Sequence, residues 1–268
     1  MARGGSRKTR EQRIVDNYNH LQKEESKRNE SSYQAKKGSQ YSLNKFKLEG
    51  KHKEISESMY NMEATIIQGV SGVGKTTVVV QTALKMLGEN NGYDRIIFVK
   101  NPTESGDDKI GYLKGDENEK LQAHFESMRS VFLEFMSVGA LESAEKNGNI
   151  EFLIPNFVQG RTFKNCIVIV DEAQNMSPPT LKLVMERSGD EAKLIVLGDK
   201  AQTYAVDRRA DGFTDFVHRI TNIVTETDEN GVDKQKRVSK EDLFHYIELD
   251  SSMNKRSPLS KRVTEIYA

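Results

Sequence analysis

One stretch, Thr65 to Thr77 (TIIQGVSGVGKTT), leaves this chain few folds to choose from. A short β-branched run, Thr65-Ile66-Ile67, stops at Gly69, and a helix-forming segment begins around Gly74. Between them, Gly69-Val70-Ser71-Gly72-Val73-Gly74-Lys75-Thr76 satisfies every defined position of the G-x-x-x-x-G-K-[ST] phosphate loop. The glycines let successive N–H groups turn inward as an anion nest capped by a helix N-terminus. Lys75 can then reach the β- and γ-phosphates, and the Thr76 hydroxyl can ligate Mg2+. The nucleotide-binding set runs from Gly69 to Thr77. A strand followed at once by a helix is the context such a loop needs, so the chain is expected to bind a nucleoside triphosphate.

The second constraint is acidic. The apolar run Ile167-Val168-Ile169-Val170 ends in Asp171-Glu172, as a Walker B segment does. An aspartate there can hold the Mg2+ shell, and the next carboxylate can act as general base on an attacking water. Gln174 follows closely, and Gln202 comes after Gly198-Asp199-Lys200-Ala201. A buried glutamine amide can donate to a γ-phosphate oxygen and accept from water, so either can sense the nucleotide; a glutamine in a surface turn is the alternative. Transition-state charge usually calls for an arginine. Arg161, Arg187, Arg208, Arg209 and Arg256 are the candidates, and spacing does not assign one in cis or in trans. The histidines (20, 52, 124, 218, 245) show no ligand spacing, so no metal beyond Mg2+ is implied.

The remaining elements alternate. Residues 1–40 are polar, with few aliphatic side chains, and are expected to be a flexible basic tail or a loosely held helix. Residues 1–53 hold 14 Lys/Arg against 6 Asp/Glu, although the whole chain is neutral. Such a tail can touch nucleic-acid phosphates or simply be solvated. The domain is expected over 41–268: a lead-in helix before Met62, a helix Thr77–Leu87, and a strand Arg95–Lys100. A Gly-containing loop Thr103–Asp116 follows, then a helix over 118–136 with Leu121, Phe125, Met128, Phe132 and Phe135 as its core stripe. Strands at 150–154, 166–170 and 193–197 and helices from Pro178 and Gly212 come next. A polar hairpin lies near 221–242 with its tip at Glu229-Asn230-Gly231, then a strand 243–249 and a helix from Pro258. This alternation predicts a mostly parallel α/β sheet with its site at the strand C-termini. The one cysteine, Cys166, reads as core and suits a reducing cytoplasm. No run is long and apolar enough for a membrane span, and the basic start lacks the apolar region of a secretory signal.

Taken together, these segments resemble the PhoH family of P-loop ATPases, whose core is similar to the first motor domain of superfamily 1 helicases. The resemblance covers roughly Leu48 to Ala268. It rests on the phosphate loop, VKNPTESGDDKIGYLKGD (99–116), Gly160-Arg161-Thr162, VDEAQN (170–175), Arg187-Ser188-Gly189, GDKAQ (198–202) with Gly212, and Arg256-Ser257-Pro258-Leu259. Viral relatives are common in that family, and a compact chain with a basic start suits one. The resemblance implies a RecA-like P-loop NTPase fold with a single motor domain and no room for a second after Ile220. It also implies ATP and Mg2+ as cofactors, and hydrolysis coupled to RNA or single-stranded DNA. A homo-oligomeric ring follows, a hexamer being one form, with Arg187 or Arg256 acting across subunits. The chain departs from the family in carrying Gly-Val-Ser-Gly-Val-Gly-Lys-Thr where Gly-Pro-Ala-Gly-Thr-Gly-Lys-Thr is frequent. It also has His52 where an adenine-reading glutamine is usual, which leaves ATP-over-GTP preference open, and Asn101-Pro102 in place of Arg-Pro.

Two other functions compete. Type II thymidine kinases also carry a phosphate loop and an Asp-Glu-Ala-Gln stretch, but they hold a structural zinc on four Cys/His ligands that one cysteine and scattered histidines do not provide. A nucleotide-dependent switch without turnover would have no need of Glu172.

Overall fold

The computed structural model describes residues 46–89, 92–102, 117–199, 211–227, 232–254, 257–259 and 262. The expected tail 1–40, the loop 103–116, Gln202, Arg208, Arg209, Arg256, the hairpin tip and most of the helix from Pro258 therefore lie outside the described residues. In chain order the elements are α1 (Lys51–Asn61), β1 (Ala64–Gly69), α2 (Lys75–Gly88), β2 (Arg95–Lys100), α3 (Glu117–Phe132), α4 (Val138–Lys146) and β3 (Ile150–Leu153). Then come β4 (Cys166–Asp171), α5 (Pro178–Met185), β5 (Ala192–Gly198), α6 (Gly212–Ile220), β6 (Thr221–Thr227), β7 (Asp233–Ser239) and β8 (Phe244–Leu249).

Six strands form one parallel sheet in the order β3-β2-β4-β5-β1-β8. Central parallel strands are covered on both faces, which is why their sequences are unbroken apolar runs and not alternating ones. Along β4, Ile167 and Ile169 enter the core layer beneath α1 to α4, while Cys166, Val168 and Val170 enter the layer beneath α5 and α6. In β1 the neighbours Ile67 and Ile66 divide the same way. β6 and β7 pair antiparallel as a separate ribbon, in register from Thr221↔Ser239 to Thr227↔Asp233. Among the described residues no helix is long and apolar enough to cross a membrane.

Helix boundaries differ from the expectation most clearly after β2, where a separate helix, α4, also appears. The helix expected over 118–136 stops at Phe132, and Phe135 and Met136 turn back with their N–H groups on Phe132 O at 2.9 and 3.1 Å. Ser137 then caps α4, its Oγ accepting from Ala140 N at 3.3 Å. Phe135 and Met136 are both buried in the core. An apolar periodicity that continues through a buried turn hides the break, whereas the serine cap marks it.

Two glycines fix how the second helical layer sits. A Cβ on Gly198, at the end of β5, would overlap the fully buried Phe213 ring. A Cβ on Gly212 would fall 2.8 Å from Met176 O, whose acceptor the Gly212 N–H already uses at 2.8 Å. These contacts press α6 onto the segment just after β4.

Candidate nucleotide site

The phosphate loop lies between β1 and α2, where the sequence put it. Gly72 and Gly74 have φ of 86° and 85°, a left-handed backbone that side chains disfavour. The loop carbonyls have fixed partners. Lys75 Nζ donates to Gly69 O (2.6 Å) and Val70 O (3.1 Å), Asn254 Nδ2 donates to Ser71 O (3.4 Å), and His52 Nε2 lies 2.7 Å from Val73 O. His52 is only 5% exposed. It serves the loop backbone, which is a structural task the sequence did not signal for the position expected to read the base.

Asp171 closes the site from the other side. β5 separates β1 from β4 in the sheet, yet Thr76 Oγ1 donates to Asp171 Oδ1 at 3.2 Å across 95 residues of chain. Burial pushes the Asp171 carboxyl up to about 6 and the Glu172 charge adds to the rise, while the Lys100 and Lys75 ammoniums and the Thr76 hydroxyl pull it back. Among the described residues no group of three or more His, Cys, Asp or Glu could hold a metal ion on protein ligands alone. A hydroxyl and a carboxylate oxygen converging beside a phosphate loop are, however, hard oxygen donors of the kind Mg2+ takes. That ion usually keeps water and substrate phosphate for its other positions. The donor set fits Mg2+ with Thr76 and Asp171 as its protein ligands.

Glu172 has φ 52° and ψ 43°, left-handed for a non-glycine residue. Such a backbone costs on the order of 1 kcal/mol and persists where its surroundings hold it. The Glu172 carbonyl accepts from Asn175 N at 2.9 Å, and the side chain is engaged by Gln174. Its Nε2 donates to Glu172 Oε2 at 2.5 Å, and its Oε1 accepts from Asp199 N at 3.0 Å, with the side chain 1% exposed. The sequence suggested that this amide contacts nucleotide; the geometry engages it with the carboxylate and the end of β5.

Other expected residues are dispersed. Arg187 follows α5, and its carbonyl accepts from Phe163 N at 2.7 Å. Phe163 precedes the start of β4 and Asp171 ends it, so a strand length of about 16–20 Å separates Arg187 from the carboxylates. The Arg187 backbone therefore lies at the opposite edge of the sheet from the carboxylates. Arg161 is held bidentately by Glu151 at 2.8 and 2.7 Å. Lys100, absent from the expected site set, ends β2 with its Nζ 4.0 Å from Asp171 Oδ2. The rule that parallel strands end at the site would have found it.

A family model described as PhoH-like protein matches residues 47–268. The chain belongs to the PhoH-like protein family. Similar curated proteins are the PhoH-like protein of Synechocystis (33% identical over 153 residues, 57% of this chain and 46% of that protein) and the PhoH-like protein of Bacillus subtilis (31% over 134 residues, 50% and 41%). Protein PhoH of Escherichia coli is 31% identical over 153 residues, 56% of this chain and 43% of that protein. The chain spans less than half the length of these PhoH-like relatives. A solved ATPase-domain structure aligns over 87% of this chain and 96% of that one at 13% identity, with a TM-score of 0.28, too distant to add to the strand order.

Proposed function

We propose that this PhoH-like chain binds ATP with Mg2+ and hydrolyses it, with turnover coupled to RNA or single-stranded DNA. The observation that carries the hydrolytic reading is the meeting of Thr76 and Asp171 beside Glu172, from segments 95 residues apart. The loop from Gly69 to Thr77 receives the phosphates through its N–H groups and Lys75. Mg2+, when bound at Thr76 and Asp171, supplies Lewis-acid neutralisation of charge on the phosphate oxygens. Glu172 takes the proton of the attacking water, and Gln174 keeps its carboxylate aimed by holding one oxygen. Coupling to a nucleic-acid strand rests on the helicase-like resemblance and on the basic excess of residues 1–53. A ring in which a neighbouring subunit donates an arginine accords with Arg187 lying at the far edge of the sheet, and Arg256 is the second candidate.

The test is phosphate release from ATP, with and without poly-U RNA or single-stranded DNA, against Glu172→Gln. Turnover lost in the variant and stimulated by a strand supports the whole reading. Strand-indifferent turnover sinks the coupling. Tight ATP binding without turnover favours a nucleotide switch.

A further inference from the structure

Lys100 is the ladder partner of Asp171, each the last residue of its strand. Its ammonium stands 4.0 Å from Asp171 Oδ2, while Thr76 donates to the other oxygen. The two side chains are 23% and 7% exposed, so little water screens them. The strand end that carries Lys100 is pinned on both sides. His124 Nε2 lies 3.2 Å from Lys100 O, and Asn101 Nδ2 donates to Asn175 O at 2.7 Å in the turn after β4. This lysine is built into the site.

Its presence changes the local charge balance. The Lys100 and Lys75 ammoniums both act on the Asp171 carboxylate, against the Glu172 charge beside it. A lone divalent cation arriving at Asp171 must compete with an ammonium already beside the carboxylate. Phosphates entering with the metal bring negative charge that offsets the ammonium, and the loop N–H groups favour them. We propose that Lys100 is the resident counter-ion of Asp171 and makes the site refuse a free divalent cation, admitting metal only together with nucleotide. Lys100 thus acts as a positioning residue that sets the order of loading. This deepens the reading of the site as a Mg2+–nucleotide site and rests on it.

The experiment titrates Mn2+ alone, read by electron paramagnetic resonance, into nucleotide-free wild type, Lys100→Met, Lys100→Arg and Lys100→Met/Asp171→Asn. Losing one ammonium about 4 Å from the carboxylate should tighten Mn2+ binding by about tenfold or more. Lys100→Arg should bind as wild type does, and the double variant should lose the tightened site. Lys100→Gln repeats the test if Lys100→Met melts early. Mn2+ affinities that coincide in wild type and both neutral variants overturn the proposal, as does tightened binding that persists without Asp171. A parallel titration of a fluorescent ATP analogue with Mg2+ separates the two readings. If wild type binds the analogue while Mn2+ affinity is unmoved, only the counter-ion role falls. If wild type binds no nucleotide, the functional reading falls, and the loading order with it.

Discussion

Replacing Gln174 with methionine separates two roles for that residue. The side chain is fully buried, donates to the Glu172 carboxylate and accepts from the Asp199 N–H. Methionine keeps the length and volume but removes both bonds. A hydrogen bond to a charged group is worth about 1.5–3 kcal/mol, and a buried N–H left without an acceptor costs about 1–3 kcal/mol. The expected loss is about 3 kcal/mol, which for a domain of this size lowers Tm by roughly 6–12 °C. With Glu172 no longer held, kcat for ATP should fall by about a hundredfold, near 2.7 kcal/mol of barrier, while KM changes little. Thermal melting monitored by circular dichroism reads the first quantity, and steady-state phosphate release reads the second. A variant with unchanged kcat and Tm but a raised KM would refute the reasoning, because it would show Gln174 binding nucleotide and leaving Glu172 alone.

Other outcomes follow from single contacts. Gly212→Ala drives a Cβ to 2.8 Å from Met176 O and should destabilise the fold by about 1–3 kcal/mol in denaturant melts, with Gly88→Ala, which has open space, as the harmless control. Burial raises the Cys166 thiol to about 11, so native protein at pH 8 should resist alkylation and unfolded protein should react at once; mass spectrometry of the adduct checks this. For Asp171 the folded value of about 6 lies above the unfolded one of 3.8. The folded state thus holds this proton more tightly, and the resulting stability is complete below pH 3.8 and lost as pH rises through 6. The difference is on the order of 3 kcal/mol, and Asp171→Asn should flatten that part of the stability–pH curve.

The sheet was legible because buried parallel strands announce themselves as apolar runs ending in polar groups. Ile167–Val170 before Asp171 and Arg95–Lys100 before Asn101 are of this kind. The phosphate loop was legible because its chemistry dictates residue types at fixed spacing. What spacing did not carry was side-chain direction. Nothing in the order Asp-Glu-Ala-Gln says that the glutamine turns back onto the glutamate, whose backbone is left-handed in the structure. His52 and Asn254 reach the loop only because α1 and the segment after β8 are brought to it by packing. Arg187, a candidate for action across subunits, has its backbone beside Phe163 ahead of β4, and only the parallel topology shows that this edge lies away from the carboxylates.

The strand that carries the phosphate loop has neighbours from late in the chain: β5 on one side and β8 on the other, with Gln68 bonded to Glu248 across 180 residues. During synthesis β1 therefore leaves the ribosome long before either partner exists. At about 5–20 residues per second, its apolar edges wait on the order of ten seconds or more before the sheet closes around them. The nascent protein has the loop sequence early and the cradle late. The site proposed on that loop has its full sheet around it only once translation has passed Leu249.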